Sequence, residues 1–338
     1  MTWLLIALII GTFWLSWLVT RQWRAYALKR NVLDRPNYRS SHTQPTPRGG
    51  GLGLATAFEA ALAALYLAGH LSWAGWLALA PAAALVAGIG FWDDHQPLPA
   101  YRRLLAQLAA AVWALAWWPA LRESGRMVAP WLPAWLWLIL ILLGLLWLTN
   151  LYNFMDGIDG LAGLEAVSTA GVAGLLLGLD GQTGPALSCW ALAAASAGFL
   201  YWNWPPAVIF MGDVGSGFIG FVLGVLALIS AAQEPKWLAV WIILLGVFEV
   251  DATITLLRRM IRGARWYEAH REHAYQHSAR RWGHRRVTMT VLGLNIFCLA
   301  PAAVLVLARP GLAGLVAALV LLLLVALVLW GGAGTKER

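Results

Sequence analysis

The chain has 338 residues; 60% are A, V, I, L, M, F, W, Y or C, 12% are charged, and mean hydropathy is +0.67. That is more apolar surface than a water-soluble monomer can bury, and it also excludes intrinsic disorder; two cysteines, both in apolar runs, exclude a disulfide scaffold. A net charge of +8 would suit nucleic acid in a soluble protein, but spread along so apolar a chain it orients a membrane protein, and no nucleic-acid partner is expected.

A membrane-crossing helix needs about 20 mostly apolar residues. Such stretches predict eleven spans, over 3–20, 50–68, 72–91, 103–119, 132–149, 161–178, 184–200, 216–232, 237–257, 289–308 and 311–331. The fold class is therefore an all-α polytopic membrane bundle, one domain over 1–338 with basic loops at 21–49 and 258–288. The first run lacks a small-residue cleavage site and reads as a retained helix. The fourth span is the weakest, because Arg102, Arg103 and Pro119 crowd its ends. The stretch 201–215, broken by Pro205 and Pro206, reads as a connector.

Eleven alternating spans put twenty of the 24 Lys and Arg on one side. The other side holds Arg122, Arg126, Lys236 and Arg309. This asymmetry predicts that both basic loops and the C-terminus are cytoplasmic and the N-terminus outside. Most of the 22 tryptophans, such as Trp14, Trp131 and Trp202, read as interfacial anchors.

Five of the eight aspartates fall in three short motifs, all at helix ends on that same side. They are Asp93–Asp94 in GFWDDHQ, Asp156 and Asp159 in NLYNFMDGIDGLAG, and Asp213 in FMGDVGSG. Each motif has a bland reading, a helix cap for Asp93–Asp94 and for Asp156 and Asp159, and a tight loop without a ligand for Asp213. Convergence of all of them on one membrane face favours function, because a carboxylate at a bilayer is costly. Asn150, Asn153 and Asp156 recur every three residues along one helix side, and Asp159 extends the row. Acids gathered this closely repel one another, and a divalent cation removes that repulsion; Mg²⁺ prefers carboxylate, water and phosphate oxygens.

The loop 258–288 contains His270-Arg271-Glu272-His273-Ala274-Tyr275-Gln276-His277 amid arginines. Phosphate recognition, a zinc site and lipid-headgroup binding compete as readings. Segment 34–51 is rich in proline and ends in glycines that open the second span; no strand precedes them, so a dinucleotide fold is a poor reading. No P-loop pattern occurs, which disfavours ATP-driven transport.

Taken in order, these motifs resemble the polyprenyl-phosphate N-acetylhexosamine-1-phosphate transferases, the group that includes the phospho-MurNAc-pentapeptide translocases. The resemblance runs from about Asp34 to His277: D-x-P-N-x-R-x-x-H…P-T-P-R-G-G, the D-D pair, N-x-x-N-x-x-D-G-x-D-G-L-A, G-D-x-G-S and the late histidine loop. That loop looks like the branch that initiates O-antigen or other surface polysaccharides.

The resemblance implies transfer of a sugar-1-phosphate from a UDP-N-acetylamino sugar to undecaprenyl phosphate, giving a polyprenyl-diphospho-sugar and UMP, with Mg²⁺ or Mn²⁺. It also implies roles. Asp213 is expected to be the main metal ligand. Asp93 and Asp94 are expected beside the lipid phosphate, one of them handling its proton or attacking covalently. Asn153, Asp156 and Asp159 are expected to bind the nucleotide, with Asp159 on the uracil. His270, Arg271, His273 and His277 are expected to hold diphosphate and sugar, and Arg48 and His42 to contact phosphate or shape the approach. A homodimer is left open. Two rival readings remain: a lipid flippase, weakly suggested by Glu249 and Asp251 in the ninth span, and a zinc-dependent membrane hydrolase built on the histidines.

Overall fold

A computed structural model describes residues 2–36, 44–118, 131–264 and 270–335. The helices, in chain order, are α1 (Thr2–Arg30), α2 (Gly51–Leu67), α3 (Trp73–His95), α4 (Ala100–Trp117), α5 (Ala134–Met155), α6 (Leu161–Leu179) and α7 (Thr183–Asn203). They continue as α8 (Asp213–Gln233), α9 (Lys236–Leu244), α10 (Gly246–Ile261), α11 (Ala274–Trp282), α12 (His284–Ala308) and α13 (Ala313–Trp330). The only strands among the described residues, β1 (Leu33–Asp34) and β2 (Thr46–Pro47), form one short antiparallel pair.

The all-α polytopic class holds, and each expected span falls on helix. The count of eleven is not established. Eight described helices are long and apolar enough to cross a bilayer, nine if α9 and α10 form one span, while α2 is shorter. The chain ends that meet at the site still alternate as crossings should. The ends of α3 and α5 and the starts of α4, α6, α8 and α12 come together there through the contacts described below.

The ninth span is not the continuous helix expected over 237–257. The chain bends by 73° between α9 and α10. A break strands carbonyls that need partners in a dry interior. Leu244's carbonyl accepts from the Thr169 hydroxyl on α6 (3.2 Å). A second departure lies in α12, where residues Asn295–Leu299 form a π-helical turn and Asn295 donates to Glu165 on α6 (2.6 Å).

Helix α8 is the core, with almost every residue buried between α3, α5 and α2. Lipid-facing side chains, such as Leu315, Leu319 and Leu322 of α13, stay exposed. Just before α8, the connector is laced to the segment that opens α2: Phe210 N–H donates to the Pro47 carbonyl (2.8 Å), and Gly50 and Gly51 N–H donate to the carbonyls of Phe210 and Met211 (both 2.9 Å). This lacing places Arg48 at the mouth of α8.

Candidate functional site

The end of α3 meets the start of α8. The N-terminus of any helix carries amides with no partner inside the helix and a partial positive charge. Here the residue before α8 is Gly212, which has no side chain to cap it. The capping group comes from another helix: Asp94 accepts from the N–H of Asp213 (3.0 Å) and of Val214 (3.2 Å). Gly212 sits at φ +75°, and a Cβ there would come within 2.4 Å of Asp94 Oδ2, so glycine is required. Arg48 Nε donates to Asp94 Oδ1 (3.1 Å), and Nη2 reaches the same oxygen. The Asp94 side chain has no solvent exposure. The structure thus places Asp94 as a fully engaged internal cap.

Asp93, one residue earlier, faces outward. It accepts from Leu98 N–H (2.6 Å) and from Arg103 Nη1 (3.0 Å). The same Nη1 donates to Asp213 Oδ2 (2.9 Å), so one guanidinium on α4 joins the acids of α3 and α8. Asn153 on α5 donates to Asp213 Oδ1 (2.9 Å) and to Ser216 Oγ (3.0 Å). One turn further in, Asn150 donates to Gln107 on α4 (2.8 Å).

The expected row of Asn153, Asp156 and Asp159 divides. Asn153 belongs to Asp213. Asp156, just past α5, has its carboxyl raised well above the usual range, by burial first and then by the charges of Asp213, Asp94 and Asp159. Asp159 lies on the other side, accepting from Ala207 N–H (3.1 Å) with His284 Nδ1 at 3.3 Å. It lines an open cleft with Pro205, Trp282, His284, Arg285 and Arg286.

The histidine loop is a second assembly of the same kind. Asp251 on α10 accepts from the first amides of α11, Ala274 and Tyr275 (both 2.9 Å), and from Thr255 (3.1 Å). His273 Nδ1 lies 3.5 Å from the same carboxylate, and its ring stacks between His270 and Tyr275. Glu272 pairs with Arg259 (2.8 Å) and with Arg262. Tyr275 then ties the loop to the acid end, donating to the Phe154 carbonyl (2.9 Å). A Cβ on Gly157 would strike that hydroxyl at 2.1 Å, so the DG of the motif admits the tyrosine. His277 lies within α11, with Arg280 at 2.9 Å, and Arg271 is half-buried beside Glu272. His270 is pushed down to about 4, first by burial and then by the charges of His273 and Arg259, so its ring is neutral. His42, Arg122 and Arg126 lie outside the described residues.

Among the described residues, no three His, Cys, Asp or Glu side chains converge into a metal cage. That donor set does not suit zinc, which takes three or four protein ligands. It fits Mg²⁺, which is held by one or two carboxylates and completes its shell with phosphate and water oxygens. Asp213 is the carboxylate that would hold it.

Sequence reasoning missed Arg103, Gln107, Ser216 and His284, and saw Asp251 only as a charge within a span. In the sequence Arg103 reads as a charge crowding a span end. The available signal was the pairing of Arg103 and Gln107 at i, i+4 on a helix that is apolar beyond Arg102.

The glycosyl transferase family 4 model matches residues 76–231. That stretch contains Asp93, Asp94, Asn153, Asp156, Asp159 and Asp213 and stops short of the histidine loop. The chain is 26% identical over 248 residues to a Bacillus subtilis protein named probable undecaprenyl-phosphate N-acetylglucosaminyl 1-phosphate transferase, covering 70% of this chain and 66% of that one. It is 26% identical over 184 residues to a phospho-N-acetylmuramoyl-pentapeptide-transferase of Lacticaseibacillus paracasei, covering 50% and 54%. A protein of the same name from Methylacidiphilum infernorum is 41% identical over 70 residues, 21% of this chain and 18% of that one. The chain thus spans less than two thirds of the length of each of these relatives.

Proposed function

We propose that the chain belongs to glycosyl transferase family 4, whose model matches residues 76–231, and that it transfers a sugar-1-phosphate from a UDP-N-acetylamino sugar to undecaprenyl phosphate, releasing UMP. The proposed setting is the cytoplasmic face of a bacterial inner membrane, and the proposed pathway begins an O-antigen or another envelope polysaccharide. The observation that carries the reading is the bridge from Asp93 through Arg103 to Asp213 at a helix face.

Phosphoryl transfer between two anions needs positioning and charge neutralisation more than covalent assistance. Mg²⁺, when bound, supplies neutralisation at the transferring phosphate. This chain's own residues do the rest. Asp94 and Arg48 fix the start of α8 and so the direction of Asp213. Asn153 holds the other Asp213 oxygen. Asp93, whose side chain keeps a little exposure where that of Asp94 has none, orients the acceptor's phosphate and takes its proton. The histidine loop is tied to the acid end where Tyr275 donates to Phe154, and its proposed role is to receive the donor's diphosphate and sugar with His270, Arg271 and His273.

The test is an assay of purified protein with Mg²⁺, several UDP-N-acetylamino sugars and undecaprenyl phosphate. UMP release that requires both substrates, with a lipid product of the mass of a diphospho-sugar, supports the reading. UMP release without the lipid, or none with any donor, overturns it.

A further inference from the structure

Away from the acids of α3 and α8, a polar cluster lies inside the bundle where two helices depart from regular geometry. Glu165 and Thr169 sit one turn apart on α6, Leu244 ends α9 at the 73° bend, and Asn295 opens the π-helical turn of α12. All three side chains are buried. Asn295 Nδ2 donates to Glu165 Oε2 (2.6 Å) and to Ser168 Oγ (2.8 Å), while Ser168 turns its own proton back to the α6 carbonyls of Leu164 (3.0 Å) and Glu165 (3.2 Å). No Lys, Arg or His pairs with Glu165 among the described residues. A neutral amide shares a carboxylate's charge without cancelling it, and an uncompensated carboxylate this far from water is unfavourable.

The spacing of the oxygens says what compensates it. Thr169 Oγ1 lies 3.3 Å from Glu165 Oε1 and 3.2 Å from the Leu244 carbonyl oxygen. A hydroxyl has one proton to give, and both distances exceed the roughly 2.7–2.8 Å usual between hydrogen-bonded oxygens. Leu244 closes α9, so its carbonyl stands at the partially negative end of that helix. On the amide that grips Glu165, Asn295 Oδ1 is buried with no hydrogen-bond partner among the described residues, in a residue only 4% exposed. Acceptor oxygens from three helices thus gather with few donors between them. Ligands at right angles around a cation are separated by √2 times the metal–oxygen distance. An ion of calcium's size, with oxygens at about 2.3–2.6 Å, spaces them about 3.3–3.7 Å apart, whereas Mg²⁺ at about 2.0–2.1 Å spaces them about 2.8–3.0 Å apart. The observed separations match the larger ion. One carboxylate among neutral oxygens is balanced by a single positive charge, and sodium is the monovalent ion of calcium's size.

We propose that Glu165, Thr169, Asn295 and the Leu244 carbonyl form a binding site for a monovalent cation of sodium's size. The site does not depend on the transferase reading. Interrupted helices inside membranes offer ions the carbonyls that a continuous helix would keep in its own ladder. The approach is short. Thr288, two turns before Asn295 on α12, donates to the Asp159 carbonyl (3.1 Å), and Asp159 lines the open cleft beside Pro205 and His284. The cluster therefore lies about 10 Å inward from that cleft. An ion held there ties α6 to α9 and to α12 across both irregular turns, so its occupancy registers in the stability of the bundle.

The experiment melts the full chain in lipid nanodiscs, with a chelator of divalent cations, in NaCl, KCl or choline chloride at equal ionic strength, and measures binding of radiolabelled sodium in parallel. Sodium is expected to raise the melting temperature by about 3 °C or more over choline, potassium to raise it less, and the label to bind saturably. Glu165→Gln removes the charge and keeps the shape; Thr169→Val removes a ligand oxygen. Each is expected to abolish the sodium-dependent shift and to weaken sodium binding about tenfold or more. Glu59→Gln, at an acid of α2, which packs on α1, α3, α7 and α8, is expected to keep both responses. Neither binding nor a shift in the wild type means that Glu165 holds a proton instead, and overturns the proposal. Equal stabilisation by all three salts overturns it, and so does a sodium response that survives in either cluster variant or disappears in Glu59→Gln. Without the chelator, stabilisation by CaCl2 or MgCl2 in a protein indifferent to sodium would make the ion divalent, again overturning it. If Glu165→Gln fails to fold, Thr169→Val decides alone.

Discussion

The start of α8 and the start of α11 are built alike and neutralised differently. At each, the residue before the helix contributes no capping carboxylate, and an aspartate from another helix accepts from two amides: Asp94 on α3 for α8, Asp251 on α10 for α11. In a membrane protein an orphaned amide is expensive, so a borrowed cap both satisfies it and locks two helices together. The counter-charge is where the two diverge. Asp94 has Arg48, charged at every working pH. Asp251 has His273 at 3.5 Å, a group that carries charge only when protonated. The acid end is therefore a permanently compensated platform inside the core, while the histidine loop is a smaller assembly, docked on that platform mainly through Tyr275.

The largest effect is expected on turnover. Asp213→Asn removes the carboxylate that Arg103 and Asn153 both hold, and should lower UMP release at least about 100-fold with the protein still folded in the membrane. More than about a tenth of the wild-type rate would remove Asp213 from its proposed role.

Next comes the contrast between the two caps. Asp94→Ala leaves the first two amides of α8 without their cap and the part-exposed Arg48 without its partner, at a cost of about 2–3 kcal/mol, and should lower the melting temperature of the whole bundle. Asp251→Ala should instead expose residues 270–277 to protease while leaving the melting transition close to wild type. If the two variants prove indistinguishable by melting and by proteolysis, the platform and the loop are not separate units.

A pH titration sharpens the difference. His270 is neutral in the folded loop, with its pKa at about 4 against an ordinary value near 6.5. The unfolded loop takes up a proton first as pH falls, so loop stability is complete above about pH 6.5 and is lost progressively towards pH 4. Protease protection of the loop should fall across that window in the wild type, and His270→Leu should flatten the fall. An unchanged profile in the variant would assign the sensitivity elsewhere. The smallest effect belongs to Tyr275→Phe, which removes the bond to the Phe154 carbonyl. About 1 kcal/mol of docking should be lost, read as a modest rise in KM for the UDP-sugar with kcat little changed. A fall in kcat at constant KM would mean that the tyrosine does more than dock the loop.

Much of the molecule was legible in the sequence because the signals were local. Apolar runs of about 20 residues place helices whatever their neighbours do. The segregation of Lys and Arg groups the loops, and the rarity of acids in so apolar a chain picks out Asp93, Asp94, Asp156, Asp159 and Asp213 without any fold. The resemblance carried by the five ordered motifs agrees with the family 4 match over 76–231.

What could not be read is whatever depends on which helices are neighbours. Asp93 and Asp94 are adjacent in the chain and of one type, yet only the arrival of α8 makes Asp94 a buried cap and leaves Asp93 open with Arg103. The 73° bend at Leu245 depends on Thr169, 76 positions earlier, being there to receive a stranded carbonyl. Arg103 reads as a span-end charge until α3 and α8 bring two carboxylates to one of its nitrogens. Composition and periodicity determined that this chain is a membrane bundle with its acids gathered at helix ends, because those follow from transfer of single segments between water and lipid. Packing alone decided which acid is structure and which is open for chemistry, because a carboxylate's role depends on the donors around it, and those come from distant parts of the chain.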